Sequence, residues 1–401
     1  MASSQTPIMM VTFNYRIGAL GFLPSADTAA AGLLSLGLRD QVAAMEWVNE
    51  YIEYFGGDKH QVTLMGLSAG ATSIGFHMLD YKPGVDPLFH RAIMSSGSPT
   101  SFRGYLPANF SLYEEQYREF VDRVGCLPGS GVWECLRGVN ITTIDLTQYD
   151  IFTSYSRSPP FRPVVGGPLI PIPASVAWET GHYYKVPVIV GTVQDEGTMF
   201  VPQNLSTNEE YRNFFKDLAP QLTEENLTKI VDFYPDPVTH PESPYANSFF
   251  GAQAFGAQFQ RLQSAFGDST FSCQVEETAI RASQCSPVWR YLFAQNNTFP
   301  AWLGIPHGGD MAFQTGETGT ASPRVSSVYT SWLTSFVATG DPNTSALKEF
   351  QGKKTPQWQR YYAEKDVQMR MGPDGDLELE PKGRRTTECA FWRDLSSQLN
   401  S

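Results

Sequence analysis

One pentapeptide, Gly66-Leu67-Ser68-Ala69-Gly70, constrains the fold of this chain more than any other stretch, because of the segments on either side of it. Residues Gln61 to Met65 predict a strand that runs directly into it, and Ala69 to Leu79 predict a helix that leaves it. Such a tight strand-to-helix turn strains its central residue, so both glycines of the pentapeptide are expected to be there for steric reasons. Ser68 is then expected to project from the carboxyl edge of a sheet as a nucleophile.

The helix after Ser68 adds an electrostatic expectation. The first N–H groups of a helix have no partner within the helix and form the positive end of its dipole. We therefore expect the Ala69 N–H to stabilise negative charge that develops on an oxygen beside Ser68, as one donor of an oxyanion hole.

Predicted strands and helices alternate around this turn. Apolar residues recur at three- and four-residue spacing from Leu38 to Phe55 and predict an amphipathic helix, which Gly56-Gly57 ends. The other strands are predicted at Pro7 to Phe13, Arg91 to Met94, Val186 to Val190 and Pro287 to Phe293. This order predicts an α/β fold with a mostly parallel central sheet flanked by helices. We interpret residues 1–401 as a single domain, with a helical insertion at residues 204–284.

Charge and hydropathy exclude several partners. The chain has 401 residues and a net charge of -12, and its densest basic cluster is the short stretch from Lys382 to Arg385. Binding of nucleic acid takes clustered Lys and Arg, so no nucleic-acid partner is predicted. No apolar run approaches the roughly 20 residues that a transmembrane helix needs, and residues Met1 to Thr6 do not resemble the start of a signal peptide.

A serine nucleophile needs a base and an acid to orient that base, which this strand-turn-helix pattern presents in the order Ser, acid, His. His307 lies in the loop Ile305-Pro306-His307-Gly308-Gly309-Asp310 and is favoured as the base over His240, which lies among prolines. The strand predicted at Val186 to Val190 leads to the acidic pair Asp195 and Glu196. The residues alone do not separate the two carboxylates.

Cysteines and sequons suggest the secretory pathway. The five cysteines include no C-x-x-C pair, so no zinc or other metal site is predicted. Asn-x-Ser/Thr sequons are glycosylation acceptors only in that pathway, and they occur at Asn109, Asn140, Asn204, Asn226, Asn296 and Asn343. The alternatives are accidental sequons and five free thiols in a cytosolic protein.

Motifs along almost the whole chain resemble those of the type-B carboxylesterases, which include cholinesterases and fungal lipases and sterol esterases. The matching segments are Asn14-Tyr15-Arg16, Gly18 to Leu23, Leu38 to Gln41, Phe55 to Asp58, the pentapeptide around Ser68, Ser96 to Ser98, Asp195 to Thr198, His307-Gly308, Gly340 to Asn343 and Cys389 to Trp392. The resemblance implies an α/β-hydrolase fold and a secreted serine carboxylic ester hydrolase that uses no cofactor. Its triad would be Ser68, Glu196 and His307.

The resemblance also pairs the cysteines. It implies a short disulfide loop between Cys126 and Cys135 and a long one between Cys273 and Cys389, with Cys285 left over.

Two departures from the family pattern affect the expected function. Leu67 stands where the family usually has an acidic residue, which favours an uncharged ester over a cationic choline ester. The family also carries a strand ending in a Gly-Gly-Gly loop upstream of the segment matching Asn14-Tyr15-Arg16, and that loop supplies the other oxyanion donors. The resemblance therefore implies that this chain is N-terminally truncated.

Other functions and substrates stay open at this point. A cholinesterase-like binding or adhesion module, an inactive truncated product and a peptidase on the same fold are the alternatives. Short-chain esters, triglycerides and sterol esters are all compatible with the sequence.

Overall fold

The structure is a computed structural model that describes residues 7–80, 82–100, 105–155, 160–246, 255–296, 298–317, 319–381 and 385–399. Within these ranges the strands are β1 Thr63–Leu67, β2 Arg91–Ser95, β3 Val188–Val193, β4 Val288–Phe293, β5 Glu349–Phe350, β6 Lys353–Lys354, β7 Val367–Met371 and β8 Leu377–Pro381. The α-helices are α1 Gly18–Gly21, α2 Ala26–Ala30, α3 Leu36–Tyr51, α4 Ala69–Leu79, α5 Ser111–Arg123, α6 Val132–Gly138, α7 Ile141–Ser154, α8 Ala174–Glu179, α9 Asn208–Leu218, α10 Glu224–Phe233, α11 Phe259–Gly267, α12 Cys273–Ser283, α13 Met311–Thr315, α14 Pro323–Thr339 and α15 Thr386–Leu399. Short 3₁₀ turns lie at Ile52–Phe55, Ala301–Leu303 and Pro373–Gly375, and a π-helical turn lies at Asp268–Ser272.

The central sheet of the described residues has six strands in the order β1-β2-β3-β4-β7-β8. The first five strands are parallel, and β8 closes one edge antiparallel to β7. This is the mostly parallel sheet that the sequence predicts. Parallel strands all end at the same edge, so loops that follow β1, β2, β3 and β4 meet there.

Helices bury both faces of the sheet, as a parallel sheet requires. All six residues of β3 are buried, and alternate side chains face opposite layers. Val188 and Val190 pack in a core cluster with residues of α4 and α12, whereas Ile189 and Val193 pack in a cluster with residues of α14.

Local sequence sets the ends of these helices. The Ser322 side chain accepts a hydrogen bond at the start of α14, where Pro323 occupies the first turn, and Gly340 ends the helix in the left-handed conformation with φ 79°. At α9, Thr207 and Glu210 form a capping box.

Most of the predicted elements are present. The helix predicted from Leu38 to Phe55 is α3 with the 3₁₀ turn that follows it, and Gly56 ends it with φ 82°. Strands β1 to β4 lie within two or three residues of their predicted bounds. Strands β7 and β8 were not predicted from the sequence.

The strand predicted from Pro7 to Phe13 is wrong. This run forms no strand, and the side chains of Met9, Met10, Val11 and Phe13 are exposed. The physical reason is pairing, since an apolar run becomes a strand only beside a neighbouring strand. Among the described residues the run pairs with no strand, and β1 pairs on one edge with β2 alone.

The stretch interpreted as an insertion, residues 204–284, is helical over most of its described part and contains α9, α10, α11, the π-helical turn and α12. Its last helix, α12, packs against the central sheet, whereas α9, α10 and α11 share a separate core cluster. Val275 and Ala279 of α12 pack in the same cluster as β3 and β4, so α12 covers the sheet in the connection between those two strands.

Two further expectations concern charge and membranes. Of the basic stretch from Lys382 to Arg385, residues 382–384 lie outside the described residues, and Arg385 forms an ion pair with Asp268 at 2.6 Å.

Across the described part of the chain, no helix combines the length and the apolar character that crossing a bilayer requires.

Candidate active site

Ser68 lies at the turn between β1 and α4 in a conformation that L-residues rarely adopt, with φ 57° and ψ -120°. Its backbone is held on both sides. The Ser68 N–H donates to the Ser95 carbonyl at 2.9 Å, and the Ser68 carbonyl accepts from the Thr72 N–H at 2.9 Å. This geometry is that of a nucleophile turn, and it leaves the Ser68 side chain half-buried at the carboxyl edge of the sheet.

The steric expectation for the two glycines holds at one position and is wrong at the other. A Cβ at Gly66 would lie 2.6 Å from the Gly70 carbonyl carbon, which no packed structure tolerates. A Cβ at Gly70 would meet no described atom within 4 Å. The reason is that the backbone of Gly70 packs against the side-chain position of residue 66, while the side-chain position of residue 70 faces open space.

The turn places the amino end of α4 beside Ser68. The Ser68 side chain makes no capping hydrogen bond there, so the first N–H groups of the helix, beginning at Ala69, keep their hydrogen-bonding capacity. Ala69 is exposed. The helix end can therefore donate to an anionic oxygen next to the Ser68 hydroxyl.

His307 and Glu196 are in direct contact. The His307 Nδ1 atom lies 2.6 Å from Glu196 Oε2, with the imidazole 9% and the carboxylate 1% exposed. Because this carboxylate accepts from Nδ1–H, the ring presents Nε2 as its free nitrogen. The two candidate acids differ here, since Glu196 bonds the imidazole and the Asp195 carboxylate accepts from the Ile305 N–H at 2.9 Å. The rival base, His240, is exposed, and its Nδ1 atom contacts the Thr239 hydroxyl.

The segments that carry Ser68 and His307 lie against each other, but no hydrogen bond joins the two side chains among the described residues. A Cβ on Gly308, which follows His307, would lie 3.4 Å from the Leu67 side chain, which precedes Ser68. The His307 Nε2 atom is buried and has no hydrogen-bond partner among the described residues. Such catalytic hydrogen bonds are often long in unliganded enzymes and tighten when substrate binds.

Sequence reasoning did not assign Ser96. Its hydroxyl donates to Glu196 Oε1 at 2.6 Å, and the Val193 N–H donates to the same oxygen at 2.9 Å. Both carboxylate oxygens of Glu196 therefore have partners, which holds its orientation toward His307. The motif Ser96 to Ser98 was recognised as a family segment, but a role for its first hydroxyl follows only from the fold, since β2 lies between β1 and β3.

A second buried carboxylate lies close to this network. Asp310 Oδ2 accepts from the Tyr291 hydroxyl at 2.8 Å and from Gln314 Nε2 at 2.7 Å, and both donors also contact Ser95 Oγ. Burial raises the pKa of the Asp310 carboxyl to about 6, and the negative charge of Glu196 adds to that rise, although the two hydrogen bonds oppose it. The Asp310 carboxyl therefore takes up a proton at a higher pH than an exposed aspartate does.

Apolar side chains surround His307. The rings of Phe271 and Phe200 lie 4.4 Å and 5.1 Å from the imidazole, measured between centroids. Phe200 is 46% exposed and Met311 is 51% exposed, so this apolar surface is open to solvent. The site can therefore accept an apolar group beside His307.

Cysteines 126 and 135 form a disulfide, as do Cys273 and Cys389, and these are the pairs that the resemblance implies. The second disulfide ties α12 to α15. Cys285 is free and exposed. Among the described side chains, no group of three or more His, Cys, Asp or Glu has the arrangement of a metal site.

The six sequons differ in exposure. Four of the asparagines are exposed, namely Asn109, Asn140, Asn204 and Asn296. Asn226 is half-buried, and its side-chain oxygen accepts from the Thr223 N–H in the capping box of α10. The Asn343 amide nitrogen donates to Asp341 and to the Trp358 carbonyl, which occupies the atom that a glycan would need.

Comparisons with known proteins agree on one family. The sequence model described as the carboxylesterase family matches residues 1–392. "Secreted lipase 4" of Gibberella zeae is 38% identical over 98% of this chain and 70% of its own length. "Lipase 1" of Geotrichum candidum is 30% identical over 88% of this chain and 62% of its own length. This chain therefore spans about two thirds of the length of these relatives.

A solved structure gives the same result for the fold. The crystal structure of Aspergillus niger EstA superposes with a TM-score of 0.81, covers 97% of this chain and 74% of its own, and is 29% identical in sequence. An identity above one quarter over nearly the whole chain, with this degree of superposition, marks a shared α/β-hydrolase architecture.

Proposed function

The chain belongs to the carboxylesterase family of carboxylic ester hydrolases, and from that premise we propose that it cleaves esters through an acyl-enzyme on Ser68, with His307 as the base and Glu196 as the acid. The observation that carries the proposal is the 2.6 Å contact between His307 Nδ1 and Glu196 Oε2 beside the strained Ser68 turn. An oriented imidazole in a loop that packs against a serine nucleophile turn is the arrangement that acyl transfer needs.

Each group has a defined part in the proposed reaction. The Ser68 Oγ atom attacks the ester carbonyl carbon while His307 Nε2 takes the hydroxyl proton. The Glu196 carboxylate stabilises the imidazolium, and the Ala69 N–H donates to the oxyanion of the tetrahedral intermediate. Collapse of the intermediate breaks the bond to the alcohol oxygen, which leaves with the proton from His307. A water molecule then attacks the acyl-enzyme by the same steps and releases the carboxylic acid.

The substrate that fits is an uncharged carboxylic or lipid ester. Leu67, Phe200, Phe271 and Met311 present apolar surface around His307, so a charged alcohol group there would lose hydration without gaining a counter-ion. The names of the relatives point in the same direction, because two of them are lipases. We expect p-nitrophenyl esters of medium chain length to be cleaved with a higher kcat/KM than butyrylthiocholine.

The environment of the protein is proposed to be extracellular. Two disulfides persist in oxidising compartments, four sequon asparagines are exposed, and relatives carry the word "secreted" in their names. Treatment of the natural protein with an N-glycosidase is expected to lower its apparent mass. An unchanged mass would contradict glycosylation.

Hydrolysis of p-nitrophenyl butyrate by three variants tests the proposed triad. Ser68→Ala should lower kcat by roughly 10⁶-fold, because the nucleophile is lost. Glu196→Gln should lower kcat by roughly 10³–10⁴-fold, because the amide stabilises the wrong tautomer of His307. The matched control is Ser286→Ala, since the Ser286 hydroxyl is buried without a hydrogen-bond partner among the described residues.

A binding protein without catalysis is the second candidate, and the missing hydrogen bond at His307 Nε2 is the observation that favours it. Unchanged hydrolysis in Ser68→Ala, or no hydrolysis by the folded protein, would contradict the proposed reaction. Retained ester binding in the latter case would favour the binding protein.

A further inference from the structure

We propose that Asp195 is a positioning residue that holds the His307 loop in register with Glu196, so that the two adjacent acids have separate tasks. The proposal rests on the proposed function, because it assigns a role within the same reaction. It begins from the fact that His307 lies in a loop outside the helices and strands, between the 3₁₀ turn Ala301–Leu303 and α13. A side chain in a loop keeps a productive position only when that loop is fastened to a rigid element.

Asp195 fastens the loop through both its backbone and its side chain. The Asp195 N–H donates to the Ile305 carbonyl at 3.0 Å, and the Ile305 N–H donates to Asp195 Oδ2 at 2.9 Å. Both polar backbone groups of Ile305, two residues before His307, are therefore held by one residue. Asp195 also forms an isolated parallel bridge with Pro306, the residue directly before His307.

Two further contacts support this attachment. The Thr198 hydroxyl lies 3.0 Å from the Leu303 carbonyl, which it can meet as a donor. Gly304 has φ +60°, and a Cβ on it would collide with the Asp195 carboxylate. The glycine thus allows the carboxylate to lie directly against the loop, in a conformation that other residues rarely adopt.

The acid turn itself is fixed from the opposite side. A Cβ on Gly197 would collide with the Gln263 carbonyl of α11, and a Cβ on Gly267 would lie 3.4 Å from the Glu196 Cβ atom. The turn from Asp195 to Gly197 therefore has α11 on one side and the His307 loop on the other. Glu196 sets the orientation of the imidazole ring, whereas Asp195 sets the position of the backbone that carries the ring.

Enzyme kinetics of position 195 variants test the assignment. Misplacement of a reacting group by about 1 Å can cost roughly 10²-fold in rate, so Asp195→Ala is expected to lower kcat by about 10–100-fold while KM changes by less than about threefold. Asp195→Asn keeps a side-chain oxygen that can accept from the Ile305 N–H, and we expect it to restore kcat to within about threefold of the wild type.

A matched control separates positioning from general stability. The Asp341 carboxylate also accepts a loop N–H, from Asn343 at 2.8 Å. Asp341 lies just after α14, and the Val337 carbonyl of that helix accepts from Arg91, which begins β2 at the opposite edge of the sheet from Ser68. Asp341→Ala should lower the thermal midpoint without lowering kcat of the folded fraction. The low-field proton resonance of the His307–Glu196 hydrogen bond should shift in Asp195→Ala and stay in place in Asp341→Ala.

The outcomes are distinct. An Asp195→Ala enzyme with wild-type kcat and an unshifted resonance overturns the inference, even when Ser68→Ala is inactive and the proposed function stands. An active Ser68→Ala enzyme overturns the proposed function itself. Should Asp195→Ala fail to fold, Thr198→Val decides, since it removes the neighbouring contact to Leu303. An unchanged kcat and resonance in Thr198→Val would then overturn the inference.

Discussion

The backbone geometry at Ser68 depends on two nearby glycines, Gly66 and Gly97. Ser68 keeps its unusual φ of 57° because two neighbouring positions are glycines. A Cβ at Gly66 would lie 2.6 Å from Gly70, and a Cβ at Gly97 would collide with the Ser68 carbonyl. Packing of backbone against backbone thus fixes the nucleophile turn from the strand side and from the loop after β2.

Alanine at the two glycines of the pentapeptide should have opposite effects. Gly66→Ala is expected to destabilise the fold by about 1–3 kcal/mol and to displace Ser68, because the added methyl overlaps the backbone of Gly70. Gly70→Ala faces open space in a helix and should be neutral or stabilise the fold by up to about 1 kcal/mol. Thermal midpoints and kcat/KM for p-nitrophenyl butyrate measure both effects. Equal losses in the two variants would contradict the steric account.

His77 gives a prediction for pH. Its Nε2 atom lies 2.7 Å from Gln41 Oε1, and burial lowers the pKa of the imidazole to about 4. A depressed folded-state pKa contributes stability above the unfolded pKa of about 6.5, and this contribution is lost as pH falls through about 4. Between these values the wild type should lose up to roughly 3 kcal/mol relative to His77→Gln.

Urea unfolding at half-unit pH steps from 7 to 4 measures that difference. His77→Gln retains an amide donor toward Gln41, so it serves as an uncharged comparison. Parallel loss of stability in the two proteins over this range would contradict the assignment of acid sensitivity to His77.

Local sequence predicts individual residues at this site only up to a limit. The strand, the helix and the small residues around Ser68 are adjacent in the chain, so a local pattern was enough to propose the nucleophile. Asp195 and Glu196 are chemically similar neighbours, and only the path of the His307 loop distinguishes their contacts. The contact of Ser96 with Glu196 spans 100 residues and depends on which strands are adjacent.

At the scale of elements, α12 and α15 connect the helical stretch after β3 to the end of the chain. The Cys273–Cys389 disulfide joins them across a separation of 116 residues, and Trp392 packs in the same core cluster as the helices α9 to α11. Arg385 at the start of α15 also pairs with the buried Asp268. These contacts fix the π-helical turn that carries Phe271 against His307.

Removing the two disulfides should have unequal costs. Closure of the long loop restricts the unfolded chain more than closure of the short one, which spans 9 residues. The double change Cys273→Ser and Cys389→Ser should cost roughly 4–5 kcal/mol, whereas Cys126→Ser with Cys135→Ser should cost roughly 2–3 kcal/mol. Denaturant midpoints under non-reducing conditions measure both losses. A larger loss from the short loop would contradict this ranking.

Sequence patterns predict a helix or strand well when the residues adjacent in the chain are enough to specify it. The helix α4 and strands β1 to β4 follow from periodicity and turn residues. The run from Pro7 to Phe13 has the composition of a strand, yet composition does not supply a partner strand. Strands β7 and β8 were not predicted, although Gln368 and Arg370 alternate with apolar residues in β7 as they do in a strand. Both polar side chains pair with glutamates of β8.

For the whole molecule, strand order brings the residues of the proposed site to one edge of the sheet. Ser68 follows β1, Ser96 follows β2, Glu196 follows β3 and His307 lies in the connection after β4. These four strands are consecutive neighbours in the sheet, although their residues span most of the chain. Parallel strands with a spacing of about 4.8 Å place all four loops at one edge.

This arrangement explains which part of the fold a sequence can predict. Alternation of strands and helices predicts a parallel sheet, and a parallel sheet predicts that functional loops gather at its carboxyl edge. The precise distances at that edge depend on packing between segments far apart in the chain, such as α11 against the Asp195 to Gly197 turn.

In the proposed reaction, the Ser68 hydroxyl is the group that becomes acylated. Peptide mapping by mass spectrometry, after reaction of the native protein with a fluorophosphonate, tests it most directly. We expect one phosphonyl adduct, on the peptide that contains Ser68, and we expect it to form far more slowly in His307→Ala and Glu196→Gln. An adduct on another residue, or a folded and hydrolytically active protein whose Ser68 peptide stays unmodified, would contradict it.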